Sequence, residues 1–139
     1  MAISAIQART GEFSYRIEFT ARDHQWFADE PSDQGGANSA PTPAELLLSS
    51  LAACTAITLQ MYAARKHWPL TGVALSLSLN PDGKPAAGTD IRRQLQLKGD
   101  LDDAQRERLL QIANACPVHR LLTGEVRIET ALVEQEDNL

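Results

Sequence analysis

Between Leu46 and Ala64 the chain carries no charged residue, and this one stretch dictates most of what the remainder can fold into. Its flanks are helix signals. Thr42 suits the N-cap, Pro43 suits the first helical position, where the missing N–H is no loss, and Glu45 completes a Thr-x-x-Glu capping box. At the far end Arg65, Lys66 and His67 complement the negative end of the dipole, and Pro69 stops the helix. The spacing predicts one helix of about 25 residues, roughly 37 Å long. Its length and apolarity raise a membrane span. The stretch argues against one, because it holds Ser49, Ser50, Thr55, Thr58 and Gln60, and five of its apolar residues are alanines. A helix apolar nearly all round is otherwise a central buried one. In a chain of 139 residues, burial on every side calls for a sheet on one side and a second copy of the chain on the other.

The length fits a single domain, residues 1–139. A net charge of −5, with no basic run, argues against a nucleic-acid surface. Met1 to Ile6 lacks the charged and apolar regions of a signal peptide, so the expected location is cytoplasmic. Two cysteines there are expected to be reduced or redox-active rather than a permanent staple.

Ile3–Ala8 is expected to be a first strand and Phe13–Phe19, with apolar and polar residues alternating, a second. Gln25–Asp29 follows as a third. Pro31–Pro41 is rich in Gly, Ser, Asn and Pro and reads as a loop; Gly35-Gly36 lacks the Lys-Ser/Thr of a phosphate-binding loop. Beyond the helix, Val73–Leu79 and Ile91–Leu97 form a hairpin around the turn Asn80-Pro81-Asp82-Gly83. Arg93 falls on the apolar face of the returning strand, either snorkelling at an edge or facing a site. A helix capped by Asp100 or Asp102 runs to about Asn114, with Ala104, Leu109, Leu110, Ile112 and Ala113 inward and Arg106 toward water. Pro117–Leu122 is a short helix with Cys116 at its N-cap. Glu125–Leu132 alternates as a last strand, and the acidic tail Glu134–Leu139 is expected to fray. Strands and helices without regular βα alternation give an α+β class.

With no C-x-x-C and no H-x-x-x-H among two cysteines and three histidines, a zinc site is not expected. Cys116 has the stronger local case for reactivity. A thiol at a helix start meets the positive dipole end, and His119 and Arg120 lie three and four residues on. The plain alternative is a small residue packing a helix junction. Cys54 lies roughly eleven residues into its helix, too deep for the dipole to help, and among apolar neighbours its pKa should rise. It needs a cation from elsewhere.

Thr-Pro-Ala-Glu-Leu-Leu-Leu-Ser-Ser-Leu-Ala-Ala-Cys at 42–54, followed by Cys-Pro-Val-His-Arg at 116–120, resembles the OsmC/Ohr family. The likeness extends from Asp29-Glu30-Pro31 to the last strand and is nearest the general OsmC-like branch. It implies antiparallel sheets wrapped around a long central helix in an intertwined homodimer. It also implies a thiol peroxidase acting on organic hydroperoxides, with Cys54 as the peroxidatic thiol and Cys116 as the resolving thiol. A dithiol such as a dihydrolipoyl group would reset the pair, with no metal and no bound cofactor. The family's peroxidases use an Arg from the N-terminal sheet to hold the thiolate and a Glu before the helix to orient it. Arg22 is the preferred match for that cation, ahead of Arg9 and Arg16. The Glu is missing: Ala44 occupies its place. Glu45 lies nine residues before Cys54, about 180° around the helix, which leaves it to capping. That departure supports a second expectation, a non-catalytic dimer binding an apolar small molecule.

Overall fold

A computed structural model describes residues 3–134. In chain order it contains β1 (Gln7–Thr10), β2 (Ile17–Ala21), β3 (His24–Ala28), α1 (Pro43–Lys66), β4 (Leu70–Leu79), β5 (Ile91–Gly99), α2 (Asp103–Ala113) and α3 (Pro117–Thr123). The class is α+β, with two antiparallel sheets, β1-β2-β3 and β4-β5, and one long helix. The described residues fall into two compact units, one within residues 3–46 and 128–134, the other residues 47–127.

In the N-terminal unit β1 pairs with β2 from Gln7↔Thr20 to Thr10↔Ile17, and β2 with β3 through Ile17↔Ala28 to Ala21↔His24. The first strand starts at Gln7 rather than Ile3. The second starts at Ile17, because the Phe13–Arg16 stretch is spent on a turn. The Arg16 N–H donates to the Phe13 carbonyl and the Gly11 N–H to the Arg16 carbonyl. Phe13 and Tyr15 are therefore exposed, not on a buried strand face.

The loop after β3 is held by a carboxylate. Buried Asp29 accepts the Ser39 hydroxyl at 2.6 Å, the Ser39 N–H at 3.0 Å and the Glu30 N–H at 2.8 Å. These donors, Ser39 foremost, lower its pKa from 3.8 to about 2. The folded value lies below the unfolded one, so the stabilisation is complete above the unfolded pKa and is lost as pH falls through about 2. NMR titration should find the Asp29 carboxyl still ionised at pH 3, and a midpoint near the ordinary 3.8 would contradict this geometry. Gly36 closes the same loop with its N–H on the Pro31 carbonyl at 3.1 Å. A Cβ there would overlap the Glu30 carbonyl oxygen. Gly36→Ala should cost about 2 kcal/mol, the scale of overpacking, read as a lowered urea midpoint.

α1 starts as its sequence dictates. The Glu45 N–H donates to the Thr42 hydroxyl at 3.2 Å, and the Thr42 N–H donates to the Glu45 carboxylate at 2.9 Å. It ends in a Schellman motif, with the Trp68 N–H on the Ala63 carbonyl, the His67 N–H on the Ala64 carbonyl, and His67 left-handed at φ 58°. Burial differs from the sequence expectation. One stripe, Leu51, Thr55, Leu59 and Ala63, is buried, while Leu47, Ile57 and Met61 are exposed. By length and composition alone α1 is long and apolar enough to cross a membrane. Its buried stripe instead forms part of a protein core.

That core lies in the C-terminal unit. Leu59 packs with Leu101, Leu109 and Ala113, flanked by Tyr62, Trp68, Val73 and Leu95. β4 and β5 pair from Leu79↔Ile91 to Leu70↔Gly99, with a bulge between Leu70 and Gly72. At the open end of the hairpin Gly99 holds φ 133° against the Pro69 carbonyl, where only glycine fits. Asp102, one of the two expected caps, caps α2 through a box with Gln105. Three side chains depart from expectation, Ala104 among them, which is exposed rather than inward. Leu110 is exposed, and Arg106 is half-buried, donating to the carbonyls of Leu97, Gly99 and Leu101.

The expected last strand, Glu125–Leu132, is not formed. Among the described residues 125–134 carry no helix or strand, and Val126, Ile128 and Leu132 are exposed. A strand needs a neighbour for its N–H and C=O groups, and no described part of this chain supplies one. Most of the acidic tail, residues 135–139, lies outside the described residues.

Candidate functional site

Both cysteines belong to the C-terminal unit, and both are free thiols. Pro117 at the first position of α3 fixes Cys116 as its N-cap, as the sequence predicts. The thiol is completely buried and accepts the His119 N–H at 3.3 Å. Cys54, half-buried on α1, accepts the Val118 N–H at 3.5 Å. The two thiols lie near each other, Cys54 taking the N–H of Val118 and Cys116 that of the next residue, His119. Residues 62 positions apart thus meet because α3 begins against the middle of α1.

Burial pushes the Cys54 thiol up, and the neighbouring Cys116 adds to this; the Val118 N–H and Thr58 hydroxyl offset part of it. Cys54 therefore rests protonated at neutral pH. Thr55 donates its hydroxyl proton to the Leu51 carbonyl at 2.7 Å and accepts Arg93 at 3.0 Å. Its remaining lone pair faces Cys116 Sγ at 3.8 Å, so the sulfur is the donor in that contact.

Arg93 is the residue that sequence reading undervalued. It sits on the β5 face occupied by Ile91, Leu95 and Leu97, pairs across the hairpin with Leu77, and reaches Thr55, Asn114 Oδ1 at 2.9 Å and His119 Nδ1 at 3.2 Å. The signal was a charge breaking an alternating apolar face. Arginine can only donate, so Nδ1 of His119 accepts and the ring proton is on Nε2. Burial, reinforced by Arg93, lowers the His119 pKa below 6.5. His119 thus brings a backbone N–H to Cys116 and a neutral ring to Arg93, not the positive charge its sequence position suggested. Arg120 is exposed.

The preferred cation, Arg22, lies in the N-terminal unit. It occupies the two-residue turn between β2 and β3, exposed and left-handed at φ 54°. Arg9 lies on β1. Arg16 stacks over Phe27 at 4.0 Å and donates to the Ser39 hydroxyl at 2.8 Å. Glu45 serves the capping box, on the far side of the helix from Cys54. Among the described residues no cluster of three His, Cys, Asp or Glu side chains could hold a metal ion.

The OsmC-like protein family model matches residues 36–131. An OsmC-like protein from Mycoplasma pneumoniae is 20% identical and superposes with a TM-score of 0.75, covering 88% of this chain and 89% of the other. An organic hydroperoxide resistance protein OsmC from Legionella pneumophila is 21% identical, with a TM-score of 0.65 over 89% and 91% of the two chains. The organic hydroperoxide resistance protein OhrB of Bacillus subtilis is 22% identical, with a TM-score of 0.58 over 88% and 92%. At such identities these structures show the fold. Comparison with curated protein sequences finds no significant match. The family model covers both cysteine segments and more than half of the chain, and the chain belongs to the OsmC-like protein family.

Proposed function

We propose that the protein is a cysteine-based peroxidase of peroxide stress, reducing organic hydroperoxides through Cys54 and Cys116. The observation that carries the reading is the pairing of two free thiols from distant segments within one unit. Cys54, as thiolate, attacks the hydroperoxide O–O bond. The alcohol leaves after taking a proton, and Cys54 becomes a sulfenic acid. The Cys116 thiol displaces water from it, and a disulfide forms. An external dithiol, dihydrolipoyl or similar, reduces the disulfide by exchange and is itself oxidised. The scheme uses no metal or bound organic cofactor.

Two features set the conditions. Cys54 needs a nearby cation to ionise, and Arg22 of the N-terminal sheet is the proposed one. Exposed Leu47, Ile57 and Met61 on α1 need a cover, and a second copy of the chain in a cytoplasmic homodimer is the proposed one. Mass spectrometry after one equivalent of cumene hydroperoxide tests the chemistry. Loss of two hydrogens with a Cys54–Cys116 link is expected, and unchanged free thiol after long incubation would overturn it.

A second reading is favoured by the raised pKa of Cys54 and by Ala44 in place of an acidic residue. In it the protein is a non-catalytic dimer binding an apolar small molecule, and both thiols survive the peroxide.

A further inference from the structure

Arg93 is a half-buried cation on the apolar face of β5, and all its partners are neutral: Thr55, Asn114 and His119. Among the described residues it forms no ion pair. Three of its five N–H donors are used by these contacts, which leaves two without a partner among the described residues. Half-burying a charge without an ion pair is costly, and an apolar residue of similar size would fill this face more cheaply. The cost is recovered if the missing anion arrives with a ligand.

There is room for one. Arg93 and His119 line a cavity of about 340 Å³, the size of a small-molecule site, with Thr123 beside them and Leu51, Ile91 and Leu122 as its apolar wall. The Nε2–H of neutral His119 supplies one more donor for an anion. Asp90 also lines the cavity and opposes negative charge, which favours a monoanion over a phosphate dianion. Neither sulfur lines this space, so it is a compartment separate from the thiol pair and joined to Cys116 through Thr55.

We propose that this cavity is a carboxylate-binding subsite, in which Arg93 and His119 hold the carboxylate of an amphipathic organic acid and Leu51, Ile91 and Leu122 cover its hydrocarbon part. The site stands independently of peroxide chemistry, because it predicts binding and not turnover.

The test uses the full reduced chain, with hexanoate and 1-hexanol as probes at pH 7, followed by NMR. Hexanoate should shift the His119 ring and the Leu51 and Leu122 methyl signals to saturation. It should also raise the His119 pKa, because a bound anion offsets the charge of Arg93. Hexanol should bind at least ten-fold more weakly. Arg93→Gln should weaken hexanoate at least ten-fold, and Arg93→Lys should restore part of the loss. Equal binding of hexanol and hexanoate to the unaltered chain would overturn the proposal, whatever the variants do. So would inorganic phosphate displacing hexanoate at equal concentration, or a His119 pKa unmoved by saturating hexanoate.

Discussion

Cys54→Ser should abolish peroxide-dependent oxidation of a dithiol, a loss of at least a thousand-fold on the scale of removing a reaction's only nucleophile. Serine keeps the helix and offers the Val118 N–H an oxygen, so the variant should fold normally. Cys116→Ser should behave differently. The first peroxide equivalent should still be consumed, leaving a sulfenic acid on Cys54 that dimedone labels, while disulfide formation stops. The asymmetry follows from the two environments. Cys54 is half-buried, whereas Cys116 is completely enclosed, with the Thr55 hydroxyl oxygen 3.8 Å from its sulfur. Full turnover in the Cys54→Ser protein, measured by dithiol consumption, would remove the mechanism.

Leu59→Ala should destabilise the fold by about 3 kcal/mol, the usual cost of a large-to-small change at a closed core position. Leu59 is fully buried at the centre of the cluster with Leu101, Leu109 and Ala113. Two residues earlier on the same helix, Ile57 is 50% exposed. In the isolated chain Ile57→Ala should therefore change stability by no more than roughly 0.5 kcal/mol. Urea unfolding of both variants checks the contrast, and equal effects would mean that the buried stripe is misplaced.

Whatever depended on local chemistry was readable in advance. The Thr42–Glu45 box, the capping of α2 by Asp102 and the placement of Cys116 before Pro117 are all decided within a few residues. What failed depended on distant partners. Phe13–Phe19 alternates well enough for a strand, yet pairing with β1 begins only at Ile17, and the preceding residues close the hairpin. Glu125–Leu132 has the pattern of a strand but no neighbour among the described residues. At the site, Cys116 stood out by its place before Pro117, whereas its pairing with Cys54 came from resemblance. The cluster of Arg93, Thr55, Asn114 and His119 draws on four elements or their flanks, and no spacing in the chain announces it. Only the charge interrupting the face of β5 pointed that way.

The uncovered stripe of Leu47, Ile57 and Met61 has a thermodynamic consequence for the proposed dimer. A second copy bound there would be a ligand of the folded state alone, so mass action would tie stability to the amount of protein. The thermal midpoint should climb as the protein is concentrated, and dilution alone should loosen the fold around Cys54 without any change in solvent.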